Sequence, residues 1–336
     1  MSSFSSKQEI REAADALISG AVVAFPTETV YGLGAIVWDV KAVRTIFSIK
    51  GRPATNPLIV HLHDQSLISQ VARITNRTME KRLAALAEYW PGPLSVILPK
   101  TDAVPSEVSA GHDTVAIRIP NHPVALGLLE ACGQPVAAPS ANTSNYISPT
   151  TAAHVRNQFG ENVPYVLDGG NCVYGIESTV ISLVDDDPCL LRPGTLTHEE
   201  LETILGTRVI LGYHQDNKGL TPSPGMQAKH YSPSTPLAIY RCGTDSTLPS
   251  GRTGLICFHR AIAHSYGPMA EVRVLSETGK LSEVSFGLYA VLAELDQLGL
   301  DQIVLDTRID TEKDCPSSGL GAALLDRIQR AGKMPN

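Results

Sequence analysis

Between Gly212 and Pro236 the sequence GYHQDNKGLTPSPGMQAKHYSPSTP carries no hydrophobic period and is crowded with proline, glycine and serine. Such a segment behaves as a linker and cannot run through a packed core. It therefore divides the 336 residues into a unit over residues 1–211, a linker over 212–236 and a smaller unit over 237–336, a length that suits about two domains with separate cores.

On both sides of the linker, short apolar runs interleave with helical patterns. Lys7 to Ser19 sets Ile10, Ala13, Ala14, Leu17 and Ile18 on one helical face and stops at Gly20. Ala21 to Phe25 reads as a strand, Lys41 to Ile49 as a helix ended by Lys50-Gly51-Arg52-Pro53, and Leu58 to Leu62 as a strand holding His61. Leu94 to Leu98 follows the turn Trp90-Pro-Gly-Pro93. In Thr114 to Pro120, Val115, Ile117 and Ile119 share one face while Thr114, Ala116 and Arg118 share the other. Pro135 to Pro139 runs into the hydroxyl-rich loop Ser140-Ala141-Asn142-Thr143-Ser144, and Ser178 to Val184 and Cys189 to Arg192 complete the unit. Beyond the linker, four strands from Leu237, Gly254, Val272 and Ile303 accompany helices at Leu281 to Leu298 and Ala322 to Ala331. The fold class is α/β, with a mixed sheet because clean βαβ repeats are not evident.

Composition narrows the function. With 43% hydrophobic and 18% charged residues the chain is globular, and no apolar run of about eighteen residues offers a membrane span. The N-terminus lacks the apolar centre of a secretory signal, and six scattered cysteines form no Cys-x-x-Cys pair, so a cytoplasmic protein without a disulfide framework or dedicated metal site is expected. Net charge is −7, and residues from Ser234 onward hold 10 of the 27 basic and 12 of the 34 acidic residues. Neither unit is basic, so a polyanion must be met in a local pocket rather than on a broad face.

The stretch FPTETVYGLGA, Phe25 to Ala35, looks first like a phosphate loop, since Gly32 and Gly34 follow a strand. It lacks the third glycine of a dinucleotide fingerprint, where Val37 stands, and the Lys-Ser/Thr of a P-loop. It reads as a buried polar loop whose threonines bond their own backbone or a ligand. Lys50 and Arg52 suit a phosphate, or are a solvated turn; Ser140, Asn142, Arg118 and Arg192 stand at strand ends, where α/β sheets bind ligands. His61 is either a core histidine or a ligand contact. Glu28 and Glu177 are either paired carboxylates or braces of their loops. No Gly-x-Ser-x-Gly frame supports a serine nucleophile.

Taken together, FPTETVYGLGA, KGRP with NPLIVH, WPGPLSVIL, VAIRIP, APSAN, GIESTVIS and LRPG resemble the YrdC-like family in order and spacing, densely over Ser19 to Gly194. SPGM with HYSP, FGLYAVLAELDQLG and GLGAALLDRI resemble the linker and tail of its two-domain form. The resemblance implies a YrdC-like mixed twisted sheet with flanking helices and a Rossmann-like C-terminal domain. It also implies a reaction: L-threonine, bicarbonate and ATP, with Mg²⁺, give threonylcarbamoyl-adenylate and pyrophosphate for tRNA modification beside the anticodon. A downstream tRNA threonylcarbamoyl transferase machinery would then be a transient partner. Matched position by position, Thr29, His61, Arg118 and Ser178, with Ala138 more peripherally, would hold threonine. Lys50, Arg52, Asn56, Thr114, Ser140, Asn142 and Arg192, with Ser148 more peripherally, would hold ATP, and Lys50 and Arg52 would serve catalysis. Tyr231 would reach back from a lid formed by the linker. Gly32 and Gly34 are then expected to turn the backbone tightly beneath the pocket.

Gln227-Ala228-Lys229, Leu292 and Asp326 depart from the family pattern. The alternatives are an RNA-binding or ribosome-associated module of the same fold, for which the net charge of −7 predicts weak, salt-sensitive binding, and a nucleotide-binding regulatory protein without turnover.

Overall fold

The structure, a computed structural model, describes residues 4–212, 231–240, 251–264, 266 and 271–332. The first unit is built on strands β1 (Val23–Phe25), β2 (Gly32–Ile36), β3 (Ile59–His61), β4 (Leu94–Pro99), β5 (Thr114–Arg118), β6 (Val136–Ala138), β7 (Tyr165–Val166), β8 (Thr179–Ser182), β9 (Cys189–Arg192) and β10 (Ile210–Leu211). They form one sheet in the order β10-β9-β8-β4-β5-β3-β6-β2-β1-β7. Pairings such as β3 with β5 are parallel and others such as β4 with β5 antiparallel, so the sheet is mixed, as the sequence indicates.

The two faces of this sheet differ. Val115, Ile117 and Ile119 point into the main core, with Val43 and Ile46 of the helix Val40–Lys50 and Leu83 and Leu86 of the helix Arg77–Ala87. On the opposite face, the helices Lys7–Ile18 and Pro123–Cys132 cover only the end around β1, β2 and β6, through Leu17, Val124, Leu128, Phe25 and Val136. The remaining floor, over β3, β5, β4 and β8, carries the small apolar set Ile59, Ile97, Ala116 and Val180 and the polar side chains of the site.

Local chemistry sets the element ends. Ser6 and Glu9 form a capping box at Lys7–Ile18, worth ~1 kcal/mol for such a cap. Gly51, at φ 59°, ends Val40–Lys50 in the left-handed region that glycine adopts without a Cβ clash. Beyond that turn Lys50 and Arg52 find different acceptors, the carbonyls of Ser140 and Asn142 for Lys50 and those of Asn56 and Pro57 for Arg52.

One expectation is overturned. Gly32 and Gly34 do not make a turn; they lie in β2, paired antiparallel to β1 with Gly34 opposite Val23 and Gly32 opposite Phe25. Their role is space. A Cβ on Gly34 would sit 2.7 Å from Val136 Cγ1 and 2.8 Å from Phe25 Cε1, and one on Gly32 3.1 Å from Phe25 Cζ. The Phe25 ring occupies the room that side chains at these two positions would take.

The second unit has strands β11 (Leu237–Tyr240), β12 (Thr253–His259), β13 (Glu271–Ser276) and β14 (Gln302–Asp306), all parallel in the order β11-β14-β12-β13. Parallel strands need both faces covered, and the near-continuous run Leu255 to Phe258 is wholly buried. The helices Leu281–Asp296 and Gly319–Ala331 supply most of the cover. Leu292, one of the departures from the family pattern, is a core residue here. Cys132, Cys172, Cys257 and Cys315 are buried and Cys189 partly so, all as thiols; Cys242 lies outside the described residues.

The two units share a core. Val30, Ile147 and Ile176 of the first join Tyr231, Val284, Leu288 and Leu324 in one cluster, and the Tyr146 hydroxyl donates to Asp296 Oδ2 at 2.6 Å. Of the expected lid, residues 213–230 lie outside the described residues. Ile210–Leu211 still pairs with β9, so the large sheet extends to the residue just before the expected start of the linker at Gly212.

Candidate active site

Strand register assembles the site. Ile59 lies opposite Ala116 and Ala138, and His61 opposite Arg118 and Val136, while Val180 lies opposite both Ser95 and Arg192. Residues paired directly across a sheet share a face. Thr114, Arg118, His61, Ala138 and Arg192 therefore all emerge on the uncovered floor. Along β5, Arg118 and Thr114 are four residues and ~13 Å apart, which gives the floor two poles.

A cavity opens over this floor, lined in part by Thr29, Arg52, His61, Arg118, Ser140 and Arg192, with Ala138 beneath and Tyr231 and Glu177 closing one side. At the first pole the loop after β1 is pinned by Thr27, whose hydroxyl donates to Val30 O at 2.6 Å and lies 2.8 Å from Thr29 Oγ1. Arg118 is buried beside Glu28, with Nη2 2.7 Å from Oε1. The contact is close but badly aligned: both Glu28 carboxylate oxygens and the Arg118 Nε and Nη2 atoms have no hydrogen-bond partner among the described residues. Leaving such groups unsatisfied costs ~1–3 kcal/mol each, and a bound carboxylate would relieve the guanidinium of that cost. His61 Nδ1 lies 3.1 Å from Ile59 O and its ring meets Phe25 edge-on at 5.7 Å. Burial, and then the Arg118 charge, push it down to about 3, so the imidazole is neutral at physiological pH. It is at once a core histidine and a cavity wall.

At the second pole Arg52 lines the cavity and is steadied by Asn56 O at 3.2 Å and Pro57 O at 2.9 Å. Arg192, which the register through Val180 and Ser95 sets across the sheet at the level of Arg118 rather than of Thr114, donates from Nε to Ser178 O and from Nη2 to Ser178 Oγ, both at 3.0 Å. Burial lowers the pKa of both arginines, so an anion that restores their charge balance is favoured. Arg52, Arg118 and Arg192 outnumber the carboxylates of Glu28 and Glu177, which leaves this pocket cationic within an acidic chain, the local site that the net charge required.

Not every candidate from the sequence touches the cavity. Lys50 donates to Ser140 O at 2.7 Å and also to Asn142 O, and burial, then the Arg52 charge, push its pKa well below the usual lysine range. It fastens the Ser140–Asn142 loop from behind. Asn142 is held by Thr143 O, Tyr146 O and the Ser140 hydroxyl. Asn56 and Ser178 back the two arginines, Ser148 donates to Glu177 Oε1 at 2.5 Å, and Thr114 is half-buried at the start of β5.

Glu28 and Glu177 do not pair with each other; each takes its own arginine. Glu177 accepts from Arg327 Nε at 2.9 Å and from the Tyr289 hydroxyl at 3.2 Å, both from the second unit. Burial alone would raise its pKa, but Arg327 and then Arg192 hold it below the usual carboxylate range. Arg327 and Tyr289 were not foreseen. The signal for Arg327 is its place on the apolar stripe of its helix, between Leu324 and Ile328, where an arginine must find a buried partner.

Two family models match this chain: Sua5, YciO and YrdC, described as telomere recombination, over residues 15–194, and the C-terminal domain of threonylcarbamoyl-AMP synthase over residues 196–332. The chain belongs to the Sua5/YciO/YrdC family. Within it, the threonylcarbamoyl-AMP synthase of Bacillus subtilis is 40% identical over 332 residues, 96% of this chain and 92% of the relative. That of Pyrococcus abyssi is 37% identical over 331 residues, 96% of this chain and 94% of the relative. A solved structure of P. abyssi Sua5 with L-threonine superposes with a TM-score of 0.85 at 34% identity, covering 98% of this chain and 96% of that one. Both units of this family member are thus matched, in sequence and in fold.

Proposed function

We propose that this chain makes threonylcarbamoyl-adenylate, the product in its relatives' names, from L-threonine, bicarbonate and ATP, and that the two poles of the floor divide the substrates. Threonine takes the Thr29, His61 and Arg118 end, with Ala138 beneath it and Ser178 near by, its carboxylate meeting the Arg118 N–H groups. ATP takes the end built from Arg52, Asn56 and Thr114 and extends across the sheet to Arg192, with Ser140, Asn142, Ser148 and Tyr231 along its length. The observation that carries this assignment is the buried, under-bonded Arg118 standing ~13 Å along one strand from Thr114.

In the reaction, the threonine amine and bicarbonate condense to a carbamate with loss of water. A carbamate oxygen then bonds to the α-phosphorus of ATP as the bond to pyrophosphate breaks. The nucleophile comes from the substrates, so the protein's work is orientation and charge neutralisation. Arg52 and Arg192 supply positive charge near the phosphates, and Lys50 fixes the Ser140–Asn142 loop around them. Neutral His61 forms a wall that takes no charge in turnover. Among the described residues no cluster of three or more His, Cys, Asp or Glu side chains is placed to hold a metal, and Glu28 and Glu177 face arginines. Mg²⁺ would come to this site with the triphosphate, as its counterion, and neutralise phosphate charge. The adenylate leaves for the machinery that modifies tRNA, and the proposed site of this work is the cytoplasm. Among the described residues no helix is long and apolar enough to cross a membrane.

The test is pyrophosphate release from ATP with threonine and bicarbonate each omitted in turn. Release should need both. Release unchanged without threonine would overturn the reading.

A further inference from the structure

The second unit reaches the cavity wall. Arg327 is fully buried and touches three things: Glu177 Oε2 through Nε at 2.9 Å, Asp326 Oδ2 through Nη1 at 2.9 Å, and the Tyr231 ring, whose centroid lies 5.6 Å from its guanidinium carbon. Tyr289 stacks on the same Tyr231 ring at 5.7 Å and donates its hydroxyl to Glu177. Tyr231 and Glu177 both line the cavity. Tyr231 also holds φ at 63°, a left-handed backbone that an aromatic residue keeps only when its surroundings over-determine it.

We infer that Arg327 and Tyr289 are positioning residues for the nucleotide end of the site: acting through Glu177 and Tyr231, they make docking of the second unit a condition of closing the cavity. The geometry is specific. Glu177 Oε1 is taken by the Ser148 hydroxyl and Oε2 by the second unit, so the carboxylate is fixed from both sides. Next to it, Ser178 is gripped by Arg192, so a displaced Glu177 would carry Arg192 with it. Tyr231 is held from two directions, by the Tyr289 ring and by the Arg327 cation. With the second unit undocked, Glu177 and Arg192 lose their fixed places and the Tyr231 side of the cavity opens to water. Water in the site hydrolyses the mixed anhydride between the carbamate and the phosphate, so ATP is spent and pyrophosphate released without recoverable adenylate.

The inference rests on the proposed reaction for its kinetic arm only. In the full chain, Arg327→Met should raise KM for ATP at least tenfold while KM for threonine moves less than threefold, and should raise the pyrophosphate released per adenylate recovered. Arg327→Lys, which keeps the charge but not the fork, should restore part of both. If Arg327→Met does not fold, Tyr289→Phe removes one hydroxyl and keeps the stack; it should shift KM for ATP about threefold in the same direction. Equal changes in both KM values, or no change in the coupling ratio, would overturn the inference. A second readout needs no turnover: hydrogen exchange without ligands should quicken at the Ser232 amide, which donates to Asn145 O at 2.8 Å, in the variant against the wild type. Unchanged exchange overturns the inference whatever the kinetics. Faster exchange in a protein whose wild type releases pyrophosphate without threonine would instead sink the proposed reaction and leave the positioning role standing.

Discussion

Replacing Gly34 by alanine tests how β2 is built. Gly34 lies in the β2 strand with no left-handed φ, so alanine can adopt its backbone. If chain entropy alone mattered, the substitution would stabilise by ~0.4–1 kcal/mol. The structure reverses that sign. The new Cβ would stand 2.7 Å from Val136 Cγ1 and 2.8 Å from Phe25 Cε1, and both neighbours are wholly buried on strands of the same sheet. Neither can swing away without moving its strand, and overpacking of this kind costs ~1–3 kcal/mol. We expect a net loss of ~2 kcal/mol, or ~4–8 °C in the melting temperature of a domain of this size. Thermal unfolding by circular dichroism measures it, with Val136→Ala as the partner in a double-mutant cycle. Removing Cγ1 should offset at least ~1 kcal/mol of the Gly34→Ala penalty, as coupled neighbours do. A Gly34→Ala melting temperature equal to or above wild type, or a penalty identical in the Val136→Ala background, would refute the packing argument.

Three further outcomes follow from the site. Arg118→Gln should raise KM for threonine ~10- to 100-fold, the size of one charge-assisted hydrogen bond, whereas Lys50→Ala should act on ATP use by loosening the Ser140–Asn142 loop; identical steady-state defects would contradict the two-pole assignment. His61 has a folded pKa of about 3 below its unfolded value of ~6.5, so the unfolded chain takes up a proton that the folded chain refuses. Its contribution to stability is intact above ~6.5 and falls by ~1.4 kcal/mol per pH unit on going down towards 3; His61→Gln should flatten that part of a denaturation series, and an unchanged slope would show that another group causes it. Truncation after Leu211 removes Tyr231, Tyr289 and Arg327 together and exposes Val30, Ile147 and Ile176; the yield of adenylate should collapse, and full yield from the fragment would show that the second unit is dispensable.

Much of the fold was legible because its signals are local. The alternation in Thr114 to Pro120 placed Arg118 away from the core, and Val115, Ile117 and Ile119 are indeed core residues. The stop at Lys50-Gly51-Arg52 is a left-handed cap. Gly32 and Gly34 misled because glycine has two uses, positive φ and missing volume, and only the position of Phe25 across the hairpin distinguishes them. Lys50 showed its charge in the sequence but not that its nearest acceptors are the carbonyl groups of Ser140 and Asn142.

By itself, then, the sequence determined the α/β class, the family and the residue types on the floor, since all of these follow from short-range periodicity and contiguous motifs. Tertiary structure alone decided which of those residues share a cavity, that Glu28 and Glu177 answer to different arginines, and that Arg327 from the far end of the chain completes the wall. Those contacts join residues as much as 150 positions apart. Their energetics depend on burial and alignment, which a linear pattern does not encode.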